Sequence, residues 1–143
     1  MTQYRLILND DQVQMLLRLV GLNMNSNDTN TILDNWRVPF HQQRKSDADL
    51  YGRGVSSVCG DEIDVYLYVN DGVIQDAYFD GAACAISLGM ASLVTRHVIG
   101  RSVEDARKLT EADVFRLAPD VEIPKRRHGC ALTVLKALQV ALA

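Results

Sequence analysis

The clearest pattern in the chain is an alternation of apolar and polar residues between Glu62 and Asn70. A period of two residues is typical of a β-strand with one buried face. Asp71 and Gly72 follow, a pair that readily adopts the positive φ angles of a tight hairpin turn. The pattern therefore predicts a return strand over Val73–Phe79. A weaker strand over Leu50–Val58, interrupted by two glycines, completes a predicted antiparallel meander with one apolar face and one wet face.

Helical spacing of apolar residues begins where this meander ends. It predicts a long helix over Cys84–Val98, ended by Gly100, and a terminal helix from Arg127 or His128 to Leu142. Between them, Ser102 and Thr110 each precede an acidic residue by three positions. That spacing indicates the N-caps of two short helices.

The region before the meander is more polar. Amphipathic helices are predicted over Asp10–Val20 and Ile32–Trp36, with a loop over Asn23–Asn30 between them. The charged segment His41–Asp49 has no periodicity and is predicted to be an exposed, mobile connector. With no repeat and no internal boundary, the 143 residues are predicted to form one domain.

Composition and charge narrow the range of functions. Apolar residues make up 48% of the chain, and the net charge of −3 predicts no nucleic-acid partner and no anionic membrane partner. No apolar run approaches the roughly 20 residues that span a bilayer, and no signal-peptide pattern is present. With three cysteines, an odd number, these features predict a reduced, cytoplasmic protein whose cysteines are metal ligands or reactive thiols.

The three cysteines and one carboxylate lie at the ends of predicted elements. Cys59 and Asp61 flank Gly60 just before the central strand, and Cys84 follows the return strand. The start of one antiparallel strand and the end of its partner lie at the same edge, so these residues are expected to be neighbours. Cys130 is expected at the start of the terminal helix. Cys59, Asp61, Cys84 and Cys130 are therefore the candidate metal-binding residues.

Electrostatics favours thiolates at two of these positions. Cys84 and Cys130 are both predicted at helix N-termini, where the helix dipole stabilises negative charge. Three thiolates and a carboxylate can fill a tetrahedral zinc site or hold part of an iron–sulfur cluster. The imidazole of His128 can replace Asp61 as a zinc ligand.

A structural interpretation of the same residues stays open. A free cysteine is often a small core residue, which would be sufficient to explain Cys84 or Cys130 alone. The chain also lacks the CxxC pair that identifies most zinc sites in a sequence. His41 and His97 are predicted to be structural, and the Lys125–Arg127 run gains interest only from its position beside Cys130.

The order of these motifs resembles the NifU/IscU/SufU family of iron–sulfur cluster assembly scaffolds. The resemblance covers about Ile32 to Ala143. Its matching residues are Cys59-Gly60-Asp61, the alternating strand with its Asp-Gly hairpin, Phe79-x-Gly81-x-x-Cys84-Ala85-Ile86-Ser87, and Pro124 followed by Cys130-Ala131-Leu132.

The resemblance implies an α+β fold in which helices cover a three-stranded antiparallel sheet. It also implies a protein that receives sulfur and assembles clusters. Its three cysteines would accept persulfide sulfur from a pyridoxal-phosphate-dependent cysteine desulfurase. They would then build a transient [2Fe–2S] cluster, or hold Zn²⁺, with Asp61 as the fourth ligand. The cluster would pass to apo iron–sulfur proteins, and one hard oxygen ligand among soft thiolates suits such a release. Cys130 is the predicted persulfide acceptor, because basic residues and a proline-containing loop beside it are expected to lower the pKa of its thiol.

Several positions depart from parts of this family. Gly129 stands where IscU-type members carry histidine and SufU-type members carry lysine, so His128 is displaced by one position. The interval of 46 residues between Cys84 and Cys130 is similar to the IscU type, whereas the residues after both cysteines are similar to the SufU type. The subtype therefore stays open.

Two other functions compete with a cluster scaffold, which would itself catalyse no bond-making turnover. One is a zinc-dependent sulfurtransferase that stimulates a cysteine desulfurase without holding a cluster. The other is an interaction or regulatory module that has kept the fold but no longer assembles clusters. About one zinc per chain, with no coloured cluster after reconstitution, favours the sulfurtransferase. A biological effect that survives serine substitution of the three cysteines favours the interaction module.

Overall fold

A three-stranded antiparallel sheet in the order β1-β2-β3 forms the base of the structure, a computed structural model that describes residues 30–143. The strands are β1 (Leu50–Val55), β2 (Glu62–Asn70) and β3 (Val73–Ala82). Asp71 and Gly72 join the last two with φ angles of 52° and 73°, which confirms the predicted hairpin. The predicted helix over Asp10–Val20 and most of the predicted loop over Asn23–Asn30 lie outside the described residues.

Helices precede and follow the sheet. They are α1 (Thr31–Arg37), α2 (Ala85–Val98), α3 (Val103–Arg107), α4 (Glu111–Phe115), α5 (His128–Ala131) and α6 (Thr133–Ala141), with a 3₁₀ turn over Lys125–Arg127. Ser102 and Thr110 are the predicted N-caps of α3 and α4, and Thr110 forms a full capping box with Asp113. Within residues 30–143, no helix has both the length and the apolar character needed to cross a membrane.

The core lies between one face of the sheet and the long helices. α6 packs on β1 and β2, α2 packs on β3 and α6, and α1 covers α2. Gly52 in β1 allows α6 to approach closely, because a Cβ there would lie 2.1 Å from the carbonyl oxygen of Ala137 in α6. Fully buried core side chains come from both layers: Ile63, Leu67, Ile74 and Phe79 from the sheet, and Met90, Val94, Val98, Val134 and Leu138 from the helices.

The opposite face of the sheet is less wet than the alternation predicts. Asp64 and Tyr66 of β2 are only 7% and 6% exposed. Tyr51 donates to the Asp64 carboxylate, and the Arg53 guanidinium donates to both of its oxygens, at 2.8 and 3.1 Å. The Arg53 hydrogen bond holds the pKa of Asp64 below its usual value. Neighbouring strand residues thus cover the polar positions of the central strand.

The segment His41–Asp49 also differs from the exposed connector that the sequence predicts. Its first residues pair with β3 as a short parallel bridge: Phe79 donates its N–H to the His41 carbonyl at 3.1 Å, and Gln43 donates to the Phe79 carbonyl at 2.8 Å. The His41 ring stacks against Phe40 and Tyr78, with centroids 3.8 and 4.5 Å away. The start of this segment therefore lies along the edge of the sheet.

The predicted terminal helix is interrupted. α5 ends at Ala131, Leu132 has φ −95° and ψ 0°, and α6 then begins. The Thr133 hydroxyl donates to the Gly129 carbonyl at 2.9 Å. A hydroxyl that bonds the carbonyl four residues earlier competes with the regular helical ladder and bends the helix. The Ser87 hydroxyl oxygen also lies 2.7 Å from the carbonyl oxygen of Cys130.

Candidate metal centre

A tight loop between β1 and β2 positions the first two candidate residues. The strand β1 ends at Val55, three residues earlier than predicted. Two backbone hydrogen bonds of 2.8 Å then close the loop: the Ser56 N–H donates to the Asp61 carbonyl, and the Gly60 N–H donates to the Ser56 carbonyl. Gly60 has a φ of +70°, a conformation that glycine adopts without strain. The loop leaves Cys59 partly exposed and buries the side chain of Asp61.

Strand register then brings the third candidate residue to this loop. Glu62 pairs with Ala82, so the chain beyond β3 passes beside Asp61. Cys84 is the N-cap of α2, and its backbone N–H donates to Oδ1 of Asp61 at 3.1 Å. The expected proximity of Asp61 and Cys84 is confirmed.

Cys130 completes a group of three ligand atoms. It is the third residue of α5, and its side chain is 1% exposed. One oxygen of Asp61 and the sulfur atoms of Cys59 and Cys130 all lie within 4.8 Å of one another. Zn–S bonds of about 2.3 Å place tetrahedral ligands roughly 3.8 Å apart, so modest side-chain movement would let these atoms share one ion. Soft thiolates with one carboxylate are a donor set that fits zinc or an iron–sulfur cluster.

The thiol of Cys84 lies outside this group of three. Its sulfur is 3.7 Å from the hydroxyl oxygen of Ser87, and the residue is partly exposed. It lines an open cavity of about 320 Å³ together with Ala85, Ile86, Pro124, Arg126 and Arg127. The thiol of Cys84 therefore lies at an open cavity, with two cationic side chains beside it.

The structure places His128 away from the centre. Its Nε2 is 2.9 Å from the carbonyl oxygen of Ile123, and its ring packs against Phe115 with centroids 4.8 Å apart. These contacts join α5 to the preceding connector. Among residues 30–143, histidine contributes no atom to the group of three.

The carboxyl group of Asp61 is ionised despite its burial. Burial alone would raise its pKa, but hydrogen bonds from the Ser87 hydroxyl and from Cys59 and Cys84 outweigh this effect and lower the pKa. Oδ2 is 2.6 Å from the Ser87 oxygen and 3.1 Å from the Cys59 sulfur. A negative charge is thus already in place among the thiols.

The prediction that neighbouring basic residues lower the pKa of the Cys130 thiol is wrong. Burial, the hydrogen bond with Cys59 and the nearby Cys84 raise the pKa of the Cys130 thiol to about 12. Arg127 acts in the opposite direction, but its effect is smaller. Cys130 also lies inside the short helix α5 rather than at the N-terminus of a long one, so it gains little from a helix dipole.

Ser87 is a site residue that the sequence analysis missed. In the sequence it ends the Gly81-x-x-Cys84-Ala85-Ile86-Ser87 motif, but it was counted among the small residues of α2 and given no role. In the structure its hydroxyl lies between Asp61 and the Cys130 backbone. The available signals were this motif and its position three residues after Cys84, on the same side of the helix.

Comparison with known proteins identifies the family of this chain. The family model of the NifU-like N-terminal domain matches residues 27–143. The chain is 33% identical over 126 residues to the iron–sulfur cluster assembly scaffold protein IscU of Thermotoga maritima, covering 78% of this chain and 89% of the relative. It is 29% identical over 111 residues to IscU 1 of Archaeoglobus fulgidus, covering 78% of this chain and 71% of that protein.

Solved structures share the fold. A NifU-like protein (N-terminal) from Brucella abortus superposes with a TM-score of 0.65 at 22% identity, covering 82% of this chain and 90% of that one. A structure described as an iron–sulfur cluster assembly scaffold protein for the SUF system, from Fervidobacterium islandicum, gives the same TM-score and identity. It is covered over its whole length by 85% of this chain. The predicted α+β fold, with helices covering a three-stranded antiparallel sheet, is confirmed.

Proposed function

Because this chain belongs to the family of NifU-like N-terminal domains, we propose that it is an iron–sulfur cluster assembly scaffold. It would build a labile [2Fe–2S] cluster on Cys59, Asp61, Cys84 and Cys130. The observation that carries the proposal is the buried carboxylate of Asp61, which lies within 4.8 Å of the thiols of Cys59 and Cys130. The backbone N–H of the third cysteine, Cys84, donates a hydrogen bond to the same carboxylate.

The ligand set suits a cluster that must be released. Iron–sulfur clusters are held most firmly by four thiolates, whereas a carboxylate is a harder ligand with weaker preference for such metals. Hydrogen bonds from the Cys84 N–H and the Ser87 hydroxyl orient the carboxylate, so its orientation would not depend on the cargo. The chain's contribution is therefore a preformed place for assembly.

Sulfur delivery would use the open cavity at Cys84. A cysteine desulfurase would present a persulfide, and a thiolate of this chain would attack its outer sulfur, forming a new S–S bond as the donor cysteine leaves as a thiolate. Arg126 and Arg127 line this cavity and favour an anionic donor. Apo iron–sulfur proteins would be the recipients of the finished cluster, and the cytoplasmic location stays a prediction.

The role of Cys130 as the persulfide acceptor also stays a prediction, now with a condition. Its thiol is buried, and burial raises the pKa of this thiol to about 12. A bound metal would hold the ligating cysteines as thiolates, since coordination releases their protons. We therefore expect Cys130 to accept sulfur when the chain is loaded with metal, and not when the metal has been removed.

The test is anaerobic reconstitution of the full chain with ferrous iron, cysteine and a pyridoxal-phosphate-dependent cysteine desulfurase. A charge-transfer absorption that appears in the wild type and is lost in Cys84→Ser supports a cluster scaffold. Asp64→Asn changes a buried carboxylate on the other face of the sheet and is the matched control, expected to keep the absorption. A colourless product from the wild type contradicts the proposal.

A zinc-dependent sulfurtransferase is the second candidate, because the same group of three ligand atoms fits one Zn²⁺. It predicts about one zinc per chain in the purified protein, thiol-dependent stimulation of the desulfurase, and no cluster absorption. Metal analysis of the purified protein, made beside the reconstitution, separates the two functions.

A further inference from the structure

Ser87 connects three segments of the candidate metal centre. It lies in the first turn of α2 and is fully buried. Its hydroxyl oxygen is 2.6 Å from Oδ2 of Asp61, in the β1–β2 loop, and 2.7 Å from the carbonyl oxygen of Cys130, in α5. Two ligands that are far apart in the sequence therefore meet at one hydroxyl group.

The proton of this hydroxyl has a preferred acceptor. A serine hydroxyl has one proton to donate, and both of these neighbours are acceptors. The ionised carboxylate of Asp61 is the stronger acceptor, because hydrogen bonds to a charged group are about twice as strong as neutral ones. The Ser87 hydroxyl therefore donates its proton to the Asp61 carboxylate.

The carboxylate of Asp61 is held at both oxygens. The Cys84 N–H bonds Oδ1 at 3.1 Å, and Ser87 bonds Oδ2 at 2.6 Å. The third donor, the Cys59 thiol at 3.1 Å, is one that metal binding would remove, since ligating thiols lose their protons. In the loaded chain, the backbone of Cys84 and the side chain of Ser87 would be the donors that remain.

We infer that Ser87 is a positioning residue: its hydroxyl orients the Asp61 carboxylate toward the thiols and thereby sets how tightly the centre retains its metal cargo. This inference rests on the proposed function. Hydrogen-bond partners of metal ligands fix the orientation of those ligands, and removing one typically lowers metal affinity by about 10- to 100-fold. Ser87→Ala is therefore expected to bind metal more weakly and to release it faster.

The experiment measures the zinc dissociation constant and release rate of the full chain by competition with a chromogenic chelator. Ser92→Ala is the matched control: Ser92 is also fully buried in α2, but its hydroxyl accepts from the Phe40 N–H at 2.7 Å and lies 3.1 Å from Asn35, away from the centre. We expect Ser87→Ala to lose about 10- to 100-fold in affinity. The Ser92→Ala affinity should stay within about twofold of the wild type. Equal affinities for the two variants overturn the inference.

A double-mutant cycle tests whether the effect passes through Asp61. If it does, adding Ser87→Ala to Asp61→Ala weakens zinc binding no further. A further loss in that background would mean that the hydroxyl acts through Cys130 or through packing, and the inference would be wrong. Ser87→Thr keeps the hydroxyl and is expected to retain the zinc affinity of the wild type. Ser87→Gly removes the hydroxyl, and its zinc affinity should match that of Ser87→Ala.

Failure of the inference and failure of the proposed function give different results. A wild-type chain that binds zinc, with Ser87→Ala and Ser92→Ala alike, overturns only the role of Ser87. A wild-type chain that holds neither zinc nor a cluster overturns the proposed function and the inference together. Urea unfolding of the metal-free variants shows whether both serine changes cost similar stability, as two buried hydroxyl groups should.

Discussion

The backbone N–H of Cys84 donates a hydrogen bond of 3.1 Å to Oδ1 of Asp61. One residue thus supports the centre in two independent ways, since its thiol can bind metal while its backbone holds the carboxylate. A change of side chain at Cys84 removes the first contribution and leaves the second.

This separation makes Cys84→Ser a clean test of ligation. Loss of a thiolate ligand is expected to cost more zinc affinity than the roughly 10- to 100-fold of an outer hydrogen-bond partner. The unfolding free energy of the metal-free protein should change by less than about 0.5 kcal/mol, because the residue is partly exposed. Zinc competition and urea unfolding measure the two effects. Wild-type affinity in this variant would exclude Cys84 as a ligand.

The three thiols should differ in their reaction with iodoacetamide when metal is removed by a chelator. Cys130 is buried and its pKa is raised to about 12, so very little of it is thiolate at pH 8. Cys59 and Cys84 are partly exposed and are expected to be labelled first. Mass spectrometry of peptides, followed over time, gives the order.

Labelling of Cys130 should also accelerate about tenfold per pH unit between pH 8 and pH 10, because a thiol with a raised pKa gains thiolate only as the pH approaches that value. Urea-unfolded protein, in which all three thiols are accessible, is the control. Equal labelling rates for the three cysteines in the folded chain would refute this description of the centre.

Asp61→Cys should convert a releasing site into a retaining one. A fourth thiolate matches the soft ligands that zinc and iron–sulfur clusters prefer, so metal affinity is expected to rise and transfer to an apo acceptor to slow. Asp49→Cys adds an exposed thiol away from the centre and serves as the control for an extra cysteine. Faster transfer from Asp61→Cys than from the wild type would argue against the proposed role of the carboxylate.

Two glycines with the same backbone conformation offer a matched pair for the loop. Gly60 and Gly72 have φ angles of +70° and +73°, and a Cβ at either would meet no atom within 4 Å. Alanine at either position should therefore destabilise the protein by about 1 to 2 kcal/mol through backbone strain alone. Only Gly60→Ala is expected to weaken zinc binding as well, because only Gly60 lies between Cys59 and Asp61. Equal zinc affinities for the two variants would show that the loop adapts.

Local patterns were sufficient to predict the sheet and much of the candidate centre. The alternation in β2 gave its bounds, and the Asp71-Gly72 turn fixed the hairpin and hence the meeting of Asp61 with Cys84. The N-caps at Ser102 and Thr110 are likewise local signals, since each needs only residues within one turn.

The features that the sequence did not reveal depend on distant partners. The chain around His41 pairs with Phe79, and the burial of Asp64 depends on Tyr51 and Arg53 in a neighbouring strand. The raised pKa of Cys130 arises because α5 buries its side chain beside another thiol, which charge along the sequence cannot indicate. For the same reason, the sequence could not show that the Ser87 hydroxyl meets both Asp61 and the Cys130 backbone.

The contact between Gly52 and α6 has a consequence for interpreting mutation surveys. Any side chain at Gly52 would strike the backbone at Ala137 and Ala141, so α6 would have to shift, and the short helix that carries Cys130 joins it directly. A substitution at this strand position would therefore reduce cluster loading even though it removes no ligand. In a screen scored by activity, Gly52 would rank beside the cysteines, and only a direct measurement of folding would tell the two kinds of position apart.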